Sequence, residues 1–222
     1  MRYRCFTRSI VTLLFAAMSV SAGFSHAAET QAELNLNALA GARSGNLQKL
    51  QLSIEHGASP NTRNRVGDSL LVAAIKNDHV DIVSWLLEHG ADANLANAKQ
   101  VTPLMTAAFD GRTAMARSLI DKKADVNAVD QLHKTAMVYA AGNGHTATVE
   151  LLLAKGVAVN AAYENGLTAL MWASGFGHQS TVQFLLDHGA DAALVDNRGK
   201  TAAQMAEENN FQQVATLLRS RK

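Results

Sequence analysis

Short apolar stripes at helical spacing organise most of this chain. Leu104, Ala107 and Ala108 mark one face of about two helical turns, and Leu170 and Ala173 mark another. Each such stripe is followed by a second, as in Ile82, Val83, Leu86 and Leu87, or Val182, Leu185 and Leu186. Polar residues separate the stripes, and glycine recurs where each run ends, at Gly111, Gly144 and Gly177 and again at Gly57, Gly90, Gly156 and Gly189. A glycine after a periodic apolar run suits the left-handed residue that terminates a helix. The pattern predicts pairs of short helices joined by tight turns.

The pairs repeat. Ser69, Thr102, Thr135, Thr168 and Thr201 stand 33 residues apart, and so do Ala74, Ala107, Ala140, Ala173 and Ala206. Ser or Thr at that place is an N-cap whose hydroxyl accepts from an unpaired backbone N–H, and Thr102 is followed by Pro103, a favoured first helical residue. Stepping back another 33 residues reaches Leu36, so six units are expected, near 35–65, 66–98, 99–131, 132–164, 165–197 and 198–222. Helices this short cannot bury an apolar face alone, so stacking must supply the core. The first and last units carry extra polar residues (Lys49, Gln51 and Ser53; Glu207, Glu208, Gln212 and Gln213), as terminal caps of a repeat array should.

The runs "TPLMTAA" at 102–108, "TAMVYAA" at 135–141, "TALMWAS" at 168–174, "GHTATVELLLAKG" at 144–156 and "GHQSTVQFLLDHGAD" at 177–191 resemble the ankyrin repeat family. The resemblance implies an all-α solenoid of stacked helix-turn-helix units with projecting hairpin-like turns, working by binding proteins and not by catalysis. The chain departs from the family pattern in two ways. Val72, Met105, Val138, Met171 and Gln204 stand where the family has histidine, which predicts apolar contact there. Asp78, Lys123, Gln100 and His133 replace glycines, which predicts a looser array between 95 and 135.

The first 27 residues differ from the rest. Arg2, Arg4 and Arg8 precede an apolar run from Ile10 to Val20, and Ser25 and Ala27 supply small residues for a peptidase. A cleaved signal at 1–27 is expected, with the bond after Ala22 as the alternative, followed by a short linker at 28–34. The apolar run is short for a membrane span of roughly 20 residues. Cys5 is the single cysteine, so the mature chain would have none, which suits an oxidising compartment such as a bacterial periplasm. The whole chain carries +1; losing the three arginines leaves 17 basic and 19 acidic residues, a balance of −2. Such a balance argues against nucleic acid or an anionic membrane as the partner. A monomer is expected.

Gly175 and Gly177 end a helix and do not open one, so "GFGH" is a turn and not a phosphate cradle. His79, His145 and His178 recur at one repeat position, and His56, His89 and His188 at another. Recurrence with the period predicts structural roles, and no metal, cofactor or catalytic residue is expected. An enzyme with an unrecognised site stays open as an alternative, and convergence of Asp110, Asp130 and His133 in one cleft would favour it.

What the period does not explain is one face. In the ankyrin arrangement the turns and the exposed side of each first helix line the concave surface. There the chain places Phe109, Asp110, Leu132, Lys134, Tyr139, Asn143, Glu164, Leu167, Trp172 and Phe176. Aromatic anchors flanked by charges are what interface hot spots favour, so a protein partner is expected on this face. Two destinations fit it: accessory to an exported stress-defence enzyme, as the resemblance suggests, or secreted effector on a host protein.

Overall fold

The computed structural model describes residues 29–221. The expected signal at 1–27 lies outside the described residues. Twelve α-helices follow in order: α1 (Gln31–Ser44), α2 (Leu47–Glu55), α3 (Leu70–Lys76), α4 (Val80–Glu88), α5 (Pro103–Phe109), α6 (Thr113–Asp121), α7 (Ala136–Gly142), α8 (Thr146–Ala154), α9 (Ala169–Gly175), α10 (Gln179–Asp187), α11 (Ala202–Glu208) and α12 (Gln212–Arg219). They stack as pairs. The odd-numbered helices pack in one row, α1 on α3, α3 on α5 and so on to α11, while the even-numbered helices form a second row behind. The result is an all-α repeat solenoid; among the described residues the only β pairing is two isolated bridges, Arg63 with Ser69 and Val195 with Thr201. None of the described helices is long and apolar enough to cross a membrane.

Each first helix starts where the hydroxyl predicts. Ser69, Thr102, Thr135, Thr168 and Thr201 accept from the amides of Val72, Met105, Val138, Met171 and Gln204 at 3.2 to 3.4 Å. The residues standing in for the family histidine do more than the expected apolar contact. Gln204 Oε1 accepts from the Thr201 amide at 2.8 Å, and the sulfurs of Met105 and Met171 take the amides of Thr102 and Thr168 at 3.5 Å. A second orphan N–H at each of those helix starts thus finds an acceptor; Val72 and Val138 can offer none.

Helix α1 starts earlier than the repeat register predicts. Thr30 caps it in a reciprocal pair with Glu33, whose carboxylate takes the Thr30 amide at 2.8 Å. Residues 31–34 are therefore helical and not linker, and Leu36 lies inside α1. The capping box of Thr30 and Glu33 sets this start locally, ahead of the period.

The core runs the length of the stack. Ala74, Ala107, Ala140, Ala173 and Ala206 are fully buried, as are Leu86, Leu119, Leu152 and Leu185 on the second helices. Alanine at the recurrent position lets neighbouring first helices approach closely. At native packing density an added methylene there has nowhere to go.

The expected loosening between 95 and 135 does not occur. Asp78, Gln100, Lys123 and His133 keep the left-handed backbone of the glycines they replace, with φ between 51° and 69°. Around Lys123 the turn closes with Lys123 N–H on Ile120 and Ala124 N–H on Leu119, both at 2.9 Å, the bonds that Gly156 and Val157 make to Leu153 and Leu152. The substitutions cost local strain, and the stacking of neighbours holds the geometry.

Candidate functional interface

The hairpin turns are built by one device. Asn64, Asn97, Asp130 and Asp196 occupy equivalent places, and the Oδ1 of each accepts from the amides two and four residues on, at 2.8 to 3.1 Å. An Asx side chain that ties down its own turn fixes the direction of the residues that follow. Through Asp130 this clamp sets Leu132, which is 61% exposed, and Lys134. Tyr163 holds the equivalent place in the next turn, where a 3-10 turn over Glu164–Gly166 takes over, with Asn165 left-handed at φ 61°.

Asp130 has a second task. Its Oδ2 accepts from the Tyr139 hydroxyl at 2.5 Å, which fixes the ring across the start of α7. Burial, and then the bond and charge of Asp130, push the Tyr139 phenol far above its ordinary range. The ring stays neutral and still. Phe109 meets it edge-on, with centroids 5.8 Å apart and planes at 77°.

One repeat on, Trp172 and Phe176 lie nearly parallel, 6.0 Å apart, with Phe176 also 6.5 Å from the His178 ring. Both rings lie over Gly142, where an added Cβ would meet Trp172 and Phe176 at ordinary contact distance. Lys134 joins the two aromatic pairs, its ammonium 5.7 Å from the Tyr139 centroid and 5.0 Å from that of Trp172. Phe109 and Phe176 are 51% and 55% exposed, whereas Tyr139 and Trp172 are half-buried against the core. The other expected residues border this ridge. Asp110 and Asn143 end α5 and α7, Asn143 Nδ2 bonding to the Tyr139 carbonyl at 2.8 Å. Glu164 faces His133 at 3.8 Å, and Leu167 is half-buried beyond the 3-10 turn.

Grooves follow the ridge. One of about 670 Å³ lies beside Val101, Phe109, Leu132 and Tyr139, and one of about 430 Å³ between Phe109, Lys134 and Phe176. Another of about 250 Å³ runs from Leu132 to Trp172, and one of about 590 Å³ extends from Trp172 to Phe211. The last brings in Arg198, Met205 and Phe211, which the sequence reading did not select. A signal was present, because Phe211 stands at the repeat position of His79, Arg112, His145 and His178.

That position explains the recurring histidines. The Nε2 atoms of His79, His145 and His178 lie 2.9 to 3.2 Å from the carbonyls of Arg43, Phe109 and Gly142 in the preceding repeat. A carbonyl only accepts, so Nε2 carries the proton. In the other row, Nδ1 of His89 and His188 bonds to Trp85 and Phe184 carbonyls at 2.7 and 2.8 Å, with the rings stacked 3.9 Å apart. Among the described residues no three His, Cys, Asp or Glu side chains gather as metal ligands would. Nor do Asp110, Asp130 and His133 share a cleft: the first two line the groove of about 670 Å³, His133 lines another, and the Asp130 carboxylate is already engaged.

A family model described as ankyrin repeats matches the chain three times, over residues 38–130, 119–196 and 137–222. No curated protein matches the sequence.

Proposed function

This chain belongs to the ankyrin repeat family and is a protein–protein interaction module, and from that premise we propose that it is exported to the bacterial periplasm and holds a protein partner there. The partner lies on the face of first helices and turns from α5 to α9. The module catalyses nothing itself and acts as a monomer, as an accessory to an exported stress-defence enzyme. The array comprises six units, the first opening with α1 at Gln31, with polar outer surfaces at both ends.

One observation carries the reading. Phe109 and Phe176, half-exposed, are each braced by a half-buried aromatic, and Lys134 ties the two pairs into one rigid apolar ridge. Large apolar side chains held out of a core lose little freedom on contact, so little of their burial on binding is offset by ordering. The segment at 1–27 and the lack of cysteine after it support the export reading. The test captures partners from periplasmic extract with the wild-type chain and with a Phe109→Ala, Phe176→Ala variant, read by mass spectrometry. A protein retained by the first and lost by the second is expected; equal retention would remove the reading.

A further inference from the structure

The charges along the grooves are unevenly committed. Asp130 is held by Tyr139 and two amides, Glu164 faces His133, Arg198 lies 2.7 Å from Asp196, Glu208 lies 2.6 Å from Lys200, and Lys76 lies 2.7 Å from Asp68. Among the described residues lining these four grooves, the charged groups of Lys99, Lys134 and Asp110 alone have neither an ion pair nor a hydrogen bond, which leaves two unengaged cations against one unengaged carboxylate.

Lys134 holds the central place. It lines both grooves between the aromatic pairs, and its ammonium is held over two rings, 5.7 and 5.0 Å from their centroids. An ammonium on aromatic faces is partly desolvated and already positioned, so an arriving carboxylate meets a charge that needs little reordering. A basic partner would meet Lys134 first and find one free carboxylate.

Resting on the reading of this face as the binding surface, we propose that its partner presents an acidic, apolar peptide segment. An Asp or Glu of the segment pairs with Lys134, and large apolar side chains on either side fill the grooves beside Phe109 and Tyr139 and beside Trp172 and Phe176. Specificity comes from the charge, and most of the affinity from the flanking apolar groups.

The experiment pans a displayed library of random twelve-residue peptides on the full-length chain, with the Phe109→Ala, Phe176→Ala variant as the counter-selection. The peptides that depend on Phe109 and Phe176 are expected to carry Asp or Glu beside Leu, Phe or Trp. The leading peptide is expected to bind Lys134→Glu at least tenfold more weakly, and Lys134→Met by a smaller factor. Peptides that need the two phenylalanines but show no acidic bias, or that bind Lys134→Glu equally well, would overturn this inference and leave the interface reading in place. Enrichment that ignores both phenylalanines would overturn the interface reading as well.

Discussion

Arg112 Nη1 lies 2.8 Å from the carboxylate of Asp78, the counterpart, one step earlier in the stack, of His145 laying its imidazole over Gly111. Both are the same joint between successive repeats. Where the left-handed residue is glycine, as at 45, 111 and 144, the next repeat supplies a ring that fills the space of the missing Cβ and bonds to a carbonyl beside it. Where the residue is Asp78, a Cβ occupies that space and an arginine reaches round to the carboxylate. Phe211 over Gly177 is the apolar version of the joint. The two positions are therefore chosen together, one from each repeat.

The joint can be tested by adding one methyl group. An alanine Cβ at Gly144 would lie 2.6 Å from His178 Nδ1 at φ 75°, whereas at Gly189, with φ 85°, it would meet nothing. Gly189→Ala should cost the left-handed strain alone, about 1 kcal/mol. Gly144→Ala should cost about 2–3 kcal/mol, because the ring must also leave its place. Urea denaturation of both variants reads the difference, and equal losses would show that the ring contact contributes nothing.

Lys123 holds φ 69° without the joint's compensation, and its carbonyl, which accepts from Asn94 Nδ2 at 3.0 Å, survives any side-chain change. Lys123→Gly should stabilise the chain by about 0.5–1 kcal/mol, the relief of left-handed strain outweighing the extra freedom of glycine when unfolded. A rise in Tm of about 1–4 °C in a calorimetric scan is the expected result for a chain of this size.

Acid should weaken the turns. At Asp68 and Asp196 burial alone would raise the carboxyl pKa, but it is outweighed, at Asp68 by Lys76, Asn97 and Asn64, and at Asp196 by the Lys200 amide and Arg198. Both pKa values end below the ordinary range. A depressed folded pKa contributes stability that is complete above the unfolded value of about 3.9 and is lost as pH falls through the folded value. Melting temperature is expected to be level from about pH 5 to neutrality and to fall below about pH 4. Asp196→Asn keeps the Oδ1 acceptor that Asn64 and Asn97 use in their own turns, so it should flatten part of that fall.

At Tyr139 the sign is reversed. Its pKa is raised, so its contribution is complete below the ordinary tyrosine value of about 10 and is lost as pH climbs above it. Burial raises the Tyr163 phenol too, so ultraviolet titration should show two late phenols, of which that of Tyr139 ionises only as the chain unfolds in alkali. In Tyr139→Phe that phenol disappears, and stability at neutral pH falls by about 1–2 kcal/mol for the lost bond to Asp130.

Much of this was legible in the sequence, because the period multiplies weak signals. The cap residues and the buried alanines each recur five times, glycine ends a helix four times at each of two repeat positions, and the structure places them as the register predicts. The residues off the period were legible only as exceptions. Phe109 and Trp172 stood out as aromatics, but nothing in their spacing indicates that Lys134 lies over two rings contributed by different repeats. The start of α1 was missed because Thr30 and Glu33 act locally, outside the register. The looseness expected around Lys123 and His133 was wrong for a related reason. Propensity disfavours those residues in left-handed backbone, but stacking on both sides outweighs a cost of about 1 kcal/mol each.

The proposed binding face of Phe109, Trp172 and Phe176 is tested by partner affinity across variants of both faces. Titration calorimetry with the captured partner should show Phe109→Ala, Trp172→Ala and Phe176→Ala each weakening binding by about 1–3 kcal/mol, with the fold intact by circular dichroism. Val80→Ala, on an exposed residue at the start of α4, should leave it unchanged. Affinity that survives all three aromatic replacements, or falls with Val80→Ala alone, would contradict the account.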